Sequence, residues 1–258
     1  MKKIWLIGGT KDSAEIAKAI SSAQIPSIVV TVTTASAKNL YPANFSIKIG
    51  CFSSEAMAKF CSQENIIAIV DASHPFAMGV SQNAIATAQL KKIPYLRYER
   101  NSCQSSDSHQ FLILDSFDTL LNGNYLDGHR VLLTVGCKVL PQFKTWHHRS
   151  TLFTRVLPKV NSMQTALDSG FLSDRIIAIR PPISAELETV LWQQWKISLV
   201  VTKASGKLGG ENIKRQVAKS LGIALITIAR PKIFYPQQTS CIKKIVAFCQ
   251  QYNSSNLT

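Results

Sequence analysis

The chain has 258 residues, 46% hydrophobic and 17% charged. That length and apolar content exclude a lone small module and a globally disordered chain, and fit one large domain or two of ordinary size. Its 29 Lys and Arg against 15 Asp and Glu give a formal charge of +14, an excess that favours polyanionic partners.

Short β-branched runs alternate with amphipathic stretches of helix length. Ile4–Ile7 reads as a buried strand, followed by a helix over 11–21 with Ile16, Ala17 and Ile20 on one face. A strand at 27–33, an apolar segment at 46–49 and a helix at 54–62 follow, then a strand at 66–70, a helix at 75–91 and a strand at 94–97. The polar, Ser-rich stretch 101–109 breaks the rhythm and reads as a linker or a long functional loop. The pattern restarts with strands at 131–134, 152–156, 175–179, 198–202 and 224–228. Helical stretches lie near 138–144, 162–169, 184–195 and 211–221; 231–239 is loop, and a terminal helix at 241–251 could pack on either half. Continuous apolar strands between helices mean a parallel sheet covered on both faces. The expected class is α/β: two tandem Rossmann-like domains, 1–110 and 111–258, with an interdomain cleft.

Ligands of such sheets bind outside the carboxyl ends of the strands, so the loops there carry the candidates. Gly8-Gly9-Thr10 follows the first strand and opens a helix, as a phosphate-binding turn or a plain tight turn would. The second strand ends without an Asp or Glu to hold ribose hydroxyls. It offers Thr34, Ser36 and Lys38 instead, which favours NADPH over NADH or is an ordinary polar loop. Asp71-Ala72-Ser73-His74-Pro75 follows the strand at 66–70; His74 could bind a carboxylate or act as an acid, and Asp71 or Ser73 could equally be caps. Thr202-Lys203-Ala204-Ser205-Gly206-Lys207 is the second half's counterpart, and its successive N–H groups with Lys203 and Lys207 would make an anion-binding concavity. Lys138, after the strand at 131–134, is a weaker candidate of the same kind.

No five-residue basic run exists, which weakens a nucleic-acid partner. No window approaches the roughly 18 apolar residues of a membrane helix, and the apolar run before Gly8 is too short for an export core; a cytoplasmic protein without a membrane partner is expected. The six cysteines (51, 61, 103, 137, 241 and 249) form no C-x-x-C pair and read as reduced, mostly buried small apolar residues with no metal site.

Ile7-Gly8-Gly9-Thr10, Asp71-Ala72-Ser73-His74-Pro75-Phe76-Ala77, Ile93-Pro94-Tyr95-Leu96-Arg97, Leu133-Thr134-Val135-Gly136, Arg155-Val156-Leu157-Pro158 and Val201-Thr202-Lys203-Ala204-Ser205-Gly206 occur in an order that spans nearly the whole chain. In this the sequence resembles the precorrin-6A reductase family of corrin (vitamin B12) biosynthesis, including its cobalt-precorrin-6A branch. The resemblance implies an NADPH-dependent oxidoreductase acting on a CH–CH group. It would reduce one C=C bond of a polycarboxylate tetrapyrrole, converting (cobalt-)precorrin-6A to (cobalt-)precorrin-6B; the oligomeric state stays open, with a monomer or weak homodimer expected. The +14 charge suits such a substrate. On that expectation Gly8, Gly9 and Thr10 seat the pyrophosphate, and Ser36 and Lys38, with Thr34 a further candidate, read the 2′-phosphate. Ser205 and Gly206 close on cofactor or substrate; His74, Arg97, Lys138 and Lys203 hold substrate carboxylates, with Lys203 and His74 the catalytic candidates. Ala204 stands where relatives often carry an acid, so no proton donor transfers from there. Two alternatives stay open: an NADPH-dependent reductase of another anionic substrate, and a non-catalytic basic protein that binds nucleic acid.

Overall fold

The structure, a computed structural model, describes residues 2–50, 52–101 and 110–254. In chain order its elements are β1 (Lys3–Ile7), α1 (Lys11–Ser22), β2 (Ile28–Val32), α2 (Ala35–Lys38), β3 (Ser46–Ile49), α3 (Ser54–Gln63), β4 (Ile66–Asp71), α4 (Met78–Lys91) and β5 (Tyr95–Tyr98). Then follow β6 (Phe111–Leu114), α5 (Phe117–Asn122), β7 (Arg130–Leu133), a 3₁₀ stretch Cys137–His148, β8 (Thr151–Val156), α6 (Val160–Asp168) and β9 (Ile176–Ala178). The chain ends with α7 (Ala185–Gln194), β10 (Leu199–Lys203), α8 (Glu211–Leu221), β11 (Ala224–Ile228), β12 (Gln238–Thr239) and α9 (Ile242–Ser254).

The chain divides into two compact units, Met1–Asn101 with Lys232–Thr258, and Ser102–Pro231. In the first, the strand order is β12-β5-β4-β1-β2-β3 and every pairing is parallel. The chain winds outward from β1 through β2 to β3, then crosses back to β4, β5 and finally β12. This is the order of a doubly wound dinucleotide-binding sheet, with its switch point between β1 and β4. The apolar strand runs demand cover on both faces. Ile16, Ala17 and Ile20 of α1 and Ile245, Phe248 and Cys249 of α9 pack on one face with Ile4, Leu6 and Val30. Met57 and Phe60 of α3 and Ala84 and Ala88 of α4 pack on the other with Trp5, Val29 and Ile69.

The second unit repeats the plan as β6-β11-β10-β7-β8-β9, again all parallel. Its switch point lies between β7 and β10. Trp192 of α7 and Val217 and Ala218 of α8 cover Leu132, Phe153, Val200 and Leu225.

Several expectations are corrected. The segment from Lys232 onward belongs with the first unit and not with 111–258, because the apolar face of α9 docks on the first sheet and β12 pairs with β5. The strand β12 lies within the expected loop 231–239. The helix expected from Pro75 begins at Met78, and His74–Ala77 forms a turn instead. The Ser-rich stretch 101–109 lies, apart from Asn101, outside the described residues, as do Cys51 and Cys103. Of the other cysteines Cys61 and Cys249 are buried, Cys137 is half-buried and Cys241 exposed. No helix among the described residues is long and apolar enough to cross a membrane.

Candidate active site

A cleft of about 610 Å³, its open mouth included, lies at the carboxyl ends of β1, β2 and β4. Its lining includes Gly8, Gly9, Thr10, Thr31, Thr33, Ser73 and His74 together with Trp5, Ile7, Phe52, Met57 and Val80. That is the switch point at which the first sheet should bind its ligand.

Thr10 caps α1 through a capping box with Ser13. Its hydroxyl also donates to the Ala72 carbonyl at 3.0 Å, tying the glycine turn to the end of β4. Gly9 has φ +100°, a conformation that excludes most side chains. Its N–H donates to Tyr41 Oη at 2.7 Å, and the Thr10 N–H donates to Ser13 Oγ at 3.0 Å. The two amides expected to grip a pyrophosphate are therefore already engaged by side chains. Burial pushes the Tyr41 hydroxyl above its ordinary value, so it stays protonated and neutral.

Behind Ser73 lies a buried polar network. Asp71, fully buried, accepts Arg97 Nη1 at 3.0 Å, the Ser73 N–H at 2.9 Å, Ser81 Oγ at 2.6 Å and Tyr95 Oη at 2.8 Å. Burial works against its charge, but Arg97 and these hydrogen bonds prevail and hold the carboxyl below the usual range. Arg97 is itself 0% exposed and also pairs with Glu99 at 3.0 Å. This corrects its expected role: a guanidinium enclosed by Asp71, Glu99 and Ser73 is not presented to a substrate carboxylate. His74 is exposed, and its Nδ1 accepts the Phe76 N–H at 3.2 Å.

Thr34 precedes α2, and Ser36 and Lys38 stand exposed on that one-turn helix directly after Thr33 of the cleft. Thr34 Oγ1 lies 3.2 Å from Ser36 Oγ. No acidic residue occurs in 28–40.

In the second unit, Lys203 ends β10 and Lys138 follows β7, so both stand at that sheet's switch point. Burial lowers the Lys203 amine below its ordinary value, and nearby Lys138 adds to that against the opposing pull of Cys137. Lys203 Nζ lies 5.5 Å from the centre of the Phe117 ring. The expected anion-binding concavity is corrected. The Gly206 N–H (φ +71°) donates to buried Glu211 Oε2 at 2.9 Å, so a carboxylate of the chain itself occupies the turn. The Ser205 N–H turns back to the Lys203 carbonyl, and those of Gly209 and Gly210 bond within the loop. Ser205 and Gly206 are both buried and Lys207 is exposed. Tyr41 and Glu211 are the residues that sequence reasoning missed: Tyr41 is brought to the glycine turn by the fold, while Glu211, the first residue of α8, directly follows the Lys203–Gly210 loop it braces.

A sequence model of one family, described as "Precorrin-6x reductase CbiJ/CobK", matches residues 3–250. The chain belongs to this family. Among its relatives, the cobalt-precorrin-6A reductase of Synechocystis sp. is 42% identical over 96% of both chains. That of Priestia megaterium is 34% identical over 94% of this chain and 96% of its own. A solved "CobK precorrin-6A reductase" superposes with a TM-score of 0.79 over 98% of this chain and 97% of its own at 21% identity, which establishes the shared fold. Membership of the precorrin-6x reductase family makes this an enzyme of a reductase class, built as two parallel α/β sheets.

Proposed function

We propose that the chain reduces precorrin-6A or its cobalt form with NADPH, forming the corresponding 6B compound by hydride transfer to one C=C bond of the macrocycle. The observation that carries this reading is the 42% identity to a cobalt-precorrin-6A reductase over 96% of both chains. The residues present suit the cofactor. An apolar cleft at a switch point fits a nicotinamide or adenine ring. Ser36, Lys38 and the absence of an acid after β2 fit a 2′-phosphate better than a bare ribose.

When bound, NADPH supplies the hydride and the protein supplies orientation and electrostatics. The first unit is the dinucleotide-binding one. Thr34, Ser36 and Lys38 hold the 2′-phosphate, and Gly8, Gly9 and Thr10 form the wall against which the dinucleotide lies. His74, which lines the cleft, contacts the bound ligand. In the second unit Lys138 and Lys203 hold substrate carboxylates, and the lowered pKa of Lys203 also suits it to hand a proton to the carbon next to the one that takes the hydride. Ser205 lends its hydroxyl to the same site. The chain acts in the cytoplasm on a free polycarboxylate tetrapyrrole.

The test is turnover by the purified protein of precorrin-6A with and without cobalt, beside simpler enones, with NADPH and with NADH. Rapid NADPH oxidation only with the macrocycle supports the reading. Equal turnover of small enones would replace it with a reductase of broader use.

A further inference from the structure

Arg155 is the next-to-last residue of β8, at the carboxyl end of the second sheet. It lies two residues on from Phe153 and so shares the strand face that α7 and α8 cover. Its side chain is only 9% exposed. There it meets Glu188 in the first turn of α7, and Nη1 donates to Glu188 Oε1 at 2.5 Å. The other Glu188 oxygen accepts the Trp192 indole N–H at 2.9 Å.

A guanidinium has five N–H donors and keeps its charge. The far edge of this one, Nε and Nη2, donates to no acceptor among the described residues. Nor are these nitrogens among the enclosed atoms left without a partner there, which are Ser27 Oγ, Thr87 Oγ1 and Asn212 Oδ1, so both reach solvent. Arg97, which serves the fold, differs: its Nε, Nη1 and Nη2 all meet Asp71, Ser73 or Glu99. The charge around Arg155 is unbalanced in the same sense. Buried Lys214 feels its repulsion, and the Glu211 carboxylate is taken by the Gly206 N–H and by Arg215. Three cations thus face two carboxylates, and an arriving anion would relieve them.

We propose that Arg155, positioned by Glu188, grips a carboxylate of the ligand through its Nε and Nη2 edge at the carboxyl end of β8. That planar fork matches the two oxygens of a carboxylate. The proposal rests on the reading above of the substrate as a polycarboxylate macrocycle. In the register of β10, β7 and β8, Val201, Leu133 and Thr154 are level, so Arg155 and Lys203 point to opposite faces of the sheet. The two cations therefore serve different carboxylates of one ligand lying along the strand ends.

The experiment is equilibrium titration of the full chain with uroporphyrin, a stable polycarboxylate macrocycle, and with NADPH, beside steady-state kinetics with precorrin-6A. Arg155→Gln keeps a hydrogen bond for Glu188 and loses the charge. It should weaken uroporphyrin at least about tenfold, the loss of a charge-assisted contact, and raise KM for precorrin-6A by a similar factor. Arg155→Lys keeps the charge without the planar edge and should fall between wild type and Arg155→Gln; it carries the test should Arg155→Gln fail to fold. NADPH should bind both variants within about twofold of wild type. Wild-type affinity for uroporphyrin in Arg155→Lys would overturn the proposal, as would equal weakening of NADPH and uroporphyrin. A wild-type protein that binds uroporphyrin but leaves precorrin-6A unreduced would overturn the function reading instead, and the variants' uroporphyrin affinities would still decide the role of Arg155.

Discussion

The N–H of Gly9 donates to Tyr41 Oη at 2.7 Å, and Ser13 Oγ lies 2.6 Å from the same oxygen. The pattern recurs at the other strand-end loops: the Ser73 N–H is taken by Asp71, and the Gly206 N–H by Glu211. These loops are braced by acceptors of the chain itself. Negatively charged groups of a ligand must then be held mainly by side chains, in keeping with a chain of +14.

A Cβ on Gly8 would run into Tyr41 Oη. Gly8→Ala should therefore lower stability by about 1–3 kcal/mol, the usual effect of overpacking. Tyr41→Phe alone should lower it by about 1 kcal/mol through the lost hydrogen bond. The double variant should be more stable than the two losses added together, since the obstructing oxygen is gone. Urea unfolding of all four proteins checks this.

Lys38 is exposed at the end of β2, where the proposal puts the 2′-phosphate. Lys38→Glu should raise KM for NADPH about fivefold and leave KM for NADH nearly unchanged, since an exposed charge pair is worth roughly 1 kcal/mol. Steady-state kinetics with both cofactors give the answer, and equal effects on the two would place the phosphate elsewhere.

Asp71 and Arg97 are an enclosed ion pair. Arg97→Met leaves a buried carboxylate without its cation and should destabilise by about 3–5 kcal/mol. The folded-state pKa of Asp71 is lowered, so the unfolded chain binds its proton more readily. The stability it contributes is present above the ordinary carboxylate pKa and is lost as pH falls through the folded value. Asp71→Asn should consequently flatten the acid limb of the stability curve below about pH 4. Thermal unfolding between neutral and acid pH measures it.

The alternation of buried runs made the α/β class, the parallel sheets and most strands legible. Gly8-Gly9 and Ser73-His74 were legible too, because a strand running into glycines or small polar residues has a local signature. Two edge strands, β6 and β12, were not. β6 leaves Leu112 and Ile113 partly exposed, and β12 is two residues long, made a strand only by its pairing with Arg97 and Tyr98. Nor could the apolar face of α9 say which sheet it would cover. Arg97 reads as a substrate ligand beside the chain's other basic residues; Glu99 is its neighbour in sequence, but Asp71 comes to it only through the pairing of β4 with β5.

Lys214 of α8 is a buried cation beneath the Lys203–Gly210 loop, its Nζ donating to the carbonyls of Gly209 and Gly210 at 3.3 and 3.2 Å. Burial pushes its amine down from 10.5 to about 8, with Arg155 adding to the effect. Below that value the fold bears the charged form at a disadvantage, and stability returns as pH rises from about 8 towards 10.5. The gain is about 3 kcal/mol at most. Wild type should thus gain stability relative to Lys214→Met over this interval, as followed by chemical unfolding at matched pH. Parallel curves would show that the amine is not perturbed.

The central claim is that hydride passes from a reduced nicotinamide to a carbon of the macrocycle. The most direct measurement uses NADPH carrying deuterium at its transferable position, with purified cobalt-precorrin-6A and mass analysis of the product. The account predicts one deuterium bound to carbon in a macrocycle gaining two hydrogen equivalents, with one NADP⁺ formed for each. A reduced macrocycle without deuterium in reactions run with each face labelled in turn, or NADPH left intact, would contradict it.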